Sequence, residues 1–166
     1  MEKSRFTQFY RANVTRIYKF VYFRVNGCKE LAQDLTQDIF IKVFEAFDRY
    51  DPLISQSSWL FTIARNHLIN QHAKTRPGVS LEDVEGTLWA SQDFRQRFAR
   101  NFDERKLMEA IAKLSAEDAQ LVRMKYLEGW PFEDLAEMLG KSSGALRVQA
   151  TRALKKLRSL LKNPNS

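Results

Sequence analysis

The sequence is poor in the residues and motifs that build metal sites, disulfides and active sites. It has one cysteine, Cys28, which excludes a disulfide framework and a cysteine-based zinc site and predicts a buried, unreactive thiol. His67 and His72 have no neighbouring set of metal ligands, and we expect both to be solvated. There is no glycine-rich phosphate loop, strand-rich segment, internal repeat or catalytic-triad pattern. The sequence therefore gives no reason to expect an enzyme, a metal or another cofactor.

Long apolar runs are also missing, and the charge is unbalanced. No run approaches the ~20 apolar residues of a membrane-spanning helix, and residues 1–16 are too polar for a secretory signal. The 166 residues carry a net charge of +7, while 44% of them are hydrophobic. This composition predicts a folded, reduced, cytoplasmic protein with an anionic partner, nucleic acid before membrane.

Residues 132–162 predict two amphipathic helices that meet at a short turn. Gly140 suits the end of the first helix because glycine adopts positive φ without strain, and Ser142 or Ser143 can cap the second. The second helix combines a leucine and alanine stripe with many basic residues, and no acid follows Lys141. This pattern is typical of a helix-turn-helix, whose second helix enters the DNA major groove. The simpler alternative is a helix that does not bind DNA, with its basic face in solvent and its apolar stripe in the core.

The first 76 residues predict three helices, at about 4–25, 29–47 and 59–74, with Ser57 or Ser58 capping the third. On the second helix, acids and an amide lie beside more apolar residues than one core stripe needs. Such acids ordinarily complement the helix dipole, but this combination also suits docking of a partner helix. On the third helix, asparagine amides can read base edges, although exposed asparagines are more often structural.

Residues 77–104 lack clean periodicity and predict a linker, after which helical patterns resume. Ser115 and Asp118 predict a capped helix start, and the helix that follows is expected to end at Glu128-Gly129. The predicted fold is all-α, with two small helical domains joined by a linker and a helix-turn-helix in the C-terminal one. The predicted domains are residues 1–76 and 105–166.

Three motifs together resemble the bacterial sigma factors of the extracytoplasmic-function group of the sigma-70 family. DLTQDIF at residues 34–40 is similar to the family's polymerase-binding helix, and WLFTIARN at 59–66 is similar to its −10 helix. Residues 126–158 are similar to its −35 domain. All three occur in the family's order. The resemblance implies a protein that is not an enzyme, binds core RNA polymerase and directs promoter-specific initiation.

The resemblance also implies sets of site residues. Those implied to bind polymerase are Asp34, Leu35, Gln37, Asp38 and Ile41. Those implied to bind the −10 element are Arg65, Asn66, Asn70, Lys74 and Arg76. Those implied to bind the −35 element are Ser143, Arg147, Val148, Thr151, Arg152 and Lys155. The loop at 48–58 corresponds to the segment that captures a flipped −10 base. The implied partners are the β′ coiled coil and β subunit of core RNA polymerase, promoter DNA and an anti-sigma factor.

Some positions depart from the family pattern, namely Gln56, Asn70, Pro131 and Gln149. Because of them, no promoter sequence can be assigned. Two other functions stay open at this point. A free-standing helix-turn-helix regulator would bind operator DNA without polymerase, but it leaves the DLTQDIF motif unexplained. A nucleic-acid enzyme would need a metal or catalytic cluster.

Overall fold

The structure, a computed structural model, describes residues 2–25, 27–75, 77–78 and 102–163. All regular elements within these ranges are helical, which confirms the all-α prediction. The chain divides into two compact units, residues 1–81 and 82–166. Most of the predicted linker, from residue 79 to 101, lies outside the described ranges. No helix in the described part of the chain is long and apolar enough to cross a membrane.

The described residues of the N-terminal unit form three helices and a short 3₁₀ turn. They are α1 (Glu2–Arg24), α2 (Lys29–Ala46), the turn Phe47–Arg49 and α3 (Gln56–Thr75). The core of this unit contains Phe9, Ile17, Phe20, Val21, Ala32, Leu35, Ile39, Phe40, Val43, Leu60, Ala64 and Leu68. Aromatic rings pack edge to face around Phe47, whose ring centroid lies 5.4 Å from that of Phe9. This packing joins the ends of α1 and α2.

Three local predictions for this unit are wrong. Ser55 rather than Ser57 or Ser58 caps α3, because its Oγ accepts a hydrogen bond from the backbone N–H of Ser58 at 3.0 Å. The helix therefore begins at Gln56, three residues earlier than expected. Leu31 lies four residues before Leu35, and this spacing predicts that both belong to the core stripe of α2, but Leu31 is exposed. Cys28 is also exposed, because it precedes α2 at the surface instead of lying within a helix face.

Within residues 102–163, the described part of the C-terminal unit, the chain forms four α-helices and one π-helical segment. They are α4 (Phe102–Ala112), α5 (Ala116–Val122), the π segment Arg123–Leu127, α6 (Phe132–Leu139) and α7 (Ser143–Lys162). Its core contains Met108, Ala110, Ile111, Leu114, Leu121, Val122, Met124, Trp130, Leu135, Leu146, Ala150, Ala153 and Leu157. The predicted cap of α5 is confirmed, since the Asp118 N–H donates to Ser115 Oγ at 3.2 Å.

The turn between α6 and α7 has the predicted helix-turn-helix chemistry. Gly140 ends α6 with φ of 65°, a backbone conformation that costs glycine little. Ser142 caps α7, because its Oγ accepts from the backbone N–H of Ala145 at 3.1 Å. Of the two serines that the sequence left open, Ser142 is therefore the cap.

A buried polar network closes the segment that precedes α6. Arg123 Nε lies 3.6 Å from Glu128 Oε1, and the indole N–H of Trp130 donates to Glu128 Oε2 at 2.9 Å. All three residues are buried, and Trp130 is the largest fully buried side chain among those that the structure describes in this unit. The backbone N–H of Trp130 also donates to the Met124 carbonyl at 3.0 Å. These contacts join the π segment to the turn that leads into the helix-turn-helix.

Candidate functional site

The exposed face of α2 contains four of the five residues predicted to bind polymerase. Asp34, Gln37, Asp38 and Ile41 are all exposed, and their spacing of three, four and seven residues places them on one side of the helix. Leu35 is the exception and is a correction to the prediction. It is only 6% exposed because it lies on the core stripe of α2. Leu35 therefore supports this surface from within and is not available to a partner.

An apolar groove adjoins this face, between α1 and α2. Its volume is about 590 Å³, and its lining includes Phe6 and Tyr10 from α1 with Phe40, Ile41 and Phe44 from α2. Ile41 is 57% exposed and Phe44 is 51% exposed. Acids beside an open apolar groove suit a partner helix that has both basic and apolar side chains. The contribution of α1 was missed, although an excess of aromatic residues in its sequence was the available signal.

The polar face of α3 contains the residues predicted to bind the −10 element. Asn66, Asn70 and Lys74 are exposed and four residues apart, so they share one side of the helix. Arg65 is half-buried beside them. Arg76, the fifth predicted residue, lies outside the described residues. The side chains on this face offer two amides and an ammonium group to a ligand, without an acid among them.

His67 is buried, and the prediction of a solvated histidine is wrong. It is 5% exposed, and its Nε2 lies 3.8 Å from Asp38 Oδ2 on α2. Burial lowers the pKa of His67, the positive charges of Lys42 and Lys74 lower it further, and Asp38 opposes the shift. The signal was present in the sequence, because His67 falls at helical spacing from Leu60. His72 is half-buried.

This buried histidine predicts a pH-dependent stability. Because the folded state lowers the pKa of His67 below its ordinary value of 6.5, the unfolded chain binds the proton more readily. The free energy of unfolding is therefore expected to fall as pH drops through about 6.5 and to be unaffected by His67 above about pH 7.5. Urea unfolding of the full chain at several pH values measures this slope.

The variant His67→Gln should lose part of that slope, and His72→Gln serves as its control because it removes a histidine from the same helix. Equal pH slopes for the wild-type chain and His67→Gln would contradict the prediction.

The loop between the 3₁₀ turn and α3 is well bonded. Asp51 Oδ1 accepts from the Leu53 N–H at 2.9 Å, and the Asp51 carbonyl accepts from the Ile54 N–H at 3.0 Å. The Tyr50 hydroxyl donates to the Ile54 carbonyl, and the Tyr50 ring centroid is 5.0 Å from that of Trp59. These contacts hold Leu53 at the loop tip, where 94% of it is exposed.

Helix α7 separates its core stripe from its predicted DNA face. The buried stripe consists of Leu146, Ala150, Ala153 and Leu157. Five of the six residues predicted to bind the −35 element are exposed, namely Arg147, Val148, Thr151, Arg152 and Lys155. The sixth, Ser143 at the start of the helix, is half-buried. Gln149 faces away from this surface, since its Nε2 donates to Asp118 Oδ1 on α5 at 2.9 Å. The exposed face is basic and continuous along the helix.

Comparison with known proteins identifies both halves of the chain. Residues 9–77 match the sigma-70 region 2 family and residues 104–157 match the sigma-70 region 4 family. Over 160 residues the chain is 31% identical to RNA polymerase sigma factor CarQ of Myxococcus xanthus, covering 94% of this chain and 88% of CarQ. It is 27% identical to the ECF sigma factor BldN of Streptomyces coelicolor, covering 96% of this chain but 61% of BldN.

Two solved structures share the fold. Sigma factor RpoE of Bartonella quintana, solved with the anti-sigma factor NepR, gives a TM-score of 0.58 at 23% identity and covers 95% of this chain and 97% of its own. CnrH, solved with the cytosolic domain of CnrY, gives 0.61 at 22% identity and covers 99% of this chain and 91% of its own. The matches to both sigma regions and to CarQ show that this chain belongs to the extracytoplasmic-function group of the sigma-70 family.

Proposed function

We propose that this protein binds core RNA polymerase and directs initiation at promoters by contacting a −10 and a −35 element. One observation carries the proposal. Each of the two units contains a match to one sigma region, and each exposes a face whose side chains suit binding to polymerase or to DNA. As a sigma factor it is a regulatory subunit and no enzyme, and it would act in the cytoplasm, where polymerase works. We assign residues 1–76 to polymerase and −10 binding and 105–166 to −35 binding, with 77–104 as linker.

The α2 face is the proposed polymerase-binding surface. Asp34, Gln37 and Asp38 can pair with basic and polar groups of the β′ coiled coil, while Ile41 and the adjoining groove accept apolar side chains. Interfaces depend most on a few well-packed apolar or aromatic anchors surrounded by polar groups. The arrangement of the α2 face fits that description.

The α3 face and the loop before it are the proposed −10 site. The amides of Asn66 and Asn70 each offer a donor and an acceptor to a base edge. Lys74 and Arg76 would neutralise phosphates, which adds affinity without sequence information. Capturing a flipped base costs a few kcal/mol of lost stacking, and a loop already ordered by its own hydrogen bonds reduces the further cost of binding.

An anti-sigma factor is the third proposed partner. The structural relative RpoE was solved with such a protein. In this chain, the groove between α1 and α2 exposes apolar side chains that a regulator can cover. Covering them would block the proposed polymerase-binding surface.

The experiment that tests the function is transcription in vitro by purified core polymerase on a pooled promoter library, with and without this chain. We expect new transcripts whose templates share two upstream elements. A lack of such transcripts, together with tight duplex binding in the absence of polymerase, would instead indicate a free-standing regulator.

The variant Arg147→Ala is expected to lose discrimination at one −35 base while discrimination at the −10 element is kept. A bidentate arginine–guanine contact contributes about 1–3 kcal/mol, or roughly 5- to 150-fold. Competitive promoter binding by the reconstituted holoenzyme measures this loss.

Arg158→Ala is the control, because Arg158 is an exposed cation farther along the same helix. Its loss should weaken all sequences similarly. The same uniform weakening in both variants would contradict base reading by Arg147.

A further inference from the structure

Arg147 is held by two neighbouring residues of α6. Its Nη2 donates to Glu133 Oε1 at 2.7 Å, and its guanidinium carbon lies 4.7 Å from the ring centroid of Phe132. Fourteen residues separate Glu133 from Arg147 in the chain, so the contact exists only because the helix-turn-helix brings α6 against α7. The pair is exposed at the surface that is assigned here to the −35 element.

Glu133 lies in the first turn of α6. The N-cap of this helix is Pro131, which provides no side-chain hydrogen bond. The neighbouring backbone N–H lowers the pKa of the Glu133 carboxyl, and the charge of Arg147 lowers it as well. The carboxylate is therefore ionised at neutral pH, and it accepts the hydrogen bond from Arg147 Nη2.

Phe132 provides a second fixed contact for the guanidinium. The ring is half-buried, and Lys125 Nζ from the π segment lies 4.7 Å from its centroid. Guanidinium groups stack favourably on aromatic faces. Arg147 thus stacks on the ring of Phe132 and donates to the charged carboxylate of Glu133.

We propose that Glu133 is a positioning residue for −35 recognition, holding the Arg147 guanidinium on Phe132 so that its remaining donors face a base edge. The proposal rests on the proposed function of this chain as a sigma factor. Arginine has five N–H donors, and the bond to Glu133 leaves enough of them for a bidentate contact. A long side chain loses rotamer entropy when it is ordered, so an arginine that is already oriented binds at a lower cost.

A simpler alternative makes the opposite prediction. Exposed ion pairs add little to stability, and a carboxylate beside DNA repels phosphates. If Glu133 acts only as a negative charge, neutralising it should tighten binding to every promoter sequence and leave base discrimination unchanged. If it positions Arg147, neutralising it should reduce discrimination at the base that Arg147 reads.

The test compares holoenzymes on a panel of single-base −35 variants. In Glu133→Gln we expect discrimination to fall about 3- to 10-fold at the base identified by Arg147→Ala and to be unchanged elsewhere. Glu133→Asp, which keeps the charge but shortens the reach, should lose discrimination at the same base. In an Arg147→Ala background, Glu133→Gln should have no further effect on it. Circular dichroism checks that each variant is folded.

Glu117→Gln is the matched control. It makes the same change of charge in the same unit, but Glu117 pairs with Lys141 Nζ at 3.2 Å and has no part in the Arg147 contact. It should leave the discrimination profile unchanged. Uniform tightening by Glu133→Gln, or an unchanged profile, would overturn the proposal while the wild-type holoenzyme still initiates at promoters. A wild-type chain that supports no initiation would overturn the proposed function as well.

Discussion

Replacing Glu128 with glutamine is expected to destabilise the C-terminal unit by about 3–5 kcal/mol, the usual cost of removing one partner from a buried ion pair. Glutamine keeps the shape and can still accept from the indole of Trp130. It removes, however, the charge that lies 3.6 Å from Arg123 Nε, and both residues are almost fully buried. Because free energies of unfolding are typically about 5–15 kcal/mol, this loss would leave the helix-turn-helix marginally folded.

Pulsed hydrogen exchange of the full chain in increasing urea can measure the effect, because peptides from residues 105–162 and 2–75 report on each unit separately. Glu117→Gln is the control, since its pair with Lys141 is exposed and should contribute about 0–1 kcal/mol. Trp130→Phe removes the indole donor and also leaves a cavity, because Trp130 is fully buried. It should therefore cost at least the about 1–3 kcal/mol of the lost hydrogen bond. A shift for Glu128→Gln no larger than that of Glu117→Gln would contradict a stabilising role for the network.

The substitution Ile41→Arg is expected to weaken binding to core polymerase by at least about 30-fold, because central apolar anchors contribute 2 kcal/mol or more to interfaces. Ile41 is 57% exposed on α2, so the change should not disturb the fold. The substitution places a cation between the apolar groove and the acids of the α2 face. The partner surface proposed to bind there is basic, so the new charge should repel it. Fluorescence titration of labelled chain with core polymerase, without DNA, measures the affinity directly.

Leu53→Arg is the matched control for this measurement. Leu53 is an exposed apolar residue of the same unit, at the tip of the loop before α3, and the substitution adds the same charge. The affinity for polymerase should stay within about threefold of the wild-type value, because residues at or outside the periphery of an interface contribute little to binding. If Ile41→Arg behaves like Leu53→Arg, the polymerase-binding surface lies elsewhere.

Local signals allowed much of the fold to be predicted. Gly140 and the neighbouring serines specified the end of α6 and the start of α7, and Ser115 with Asp118 specified the start of α5. These signals act within a few residues, because capping depends on a side chain and a backbone group that are close in the chain. Alternatives within this range, such as Ser142 or Ser143, were separated only by the observed hydrogen bond from the Ala145 N–H to Ser142 Oγ.

Other predictions failed because helical spacing was not used to separate the buried residues of a motif from its exposed ones. Leu35 belongs to the same motif as Asp34 and Asp38, yet its place on the core stripe removes it from the surface. His67 lies on the buried stripe of α3, which its spacing from Leu60 could have shown. Ser55 was overlooked as the cap because serines also follow it, and only the observed bond to the Ser58 N–H distinguishes them.

The sequence by itself determined the helices, the helix-turn-helix, the basic face of α7 and the order of motifs that resembles the sigma factors. Only the tertiary structure decided the contacts between elements distant in the chain: the groove between α1 and α2, the network of Arg123, Glu128 and Trp130, and the pair of Glu133 and Arg147. The physical reason is that helix formation and capping depend on neighbours within about one turn. A contact between helices depends instead on how whole elements pack, which no local pattern specifies.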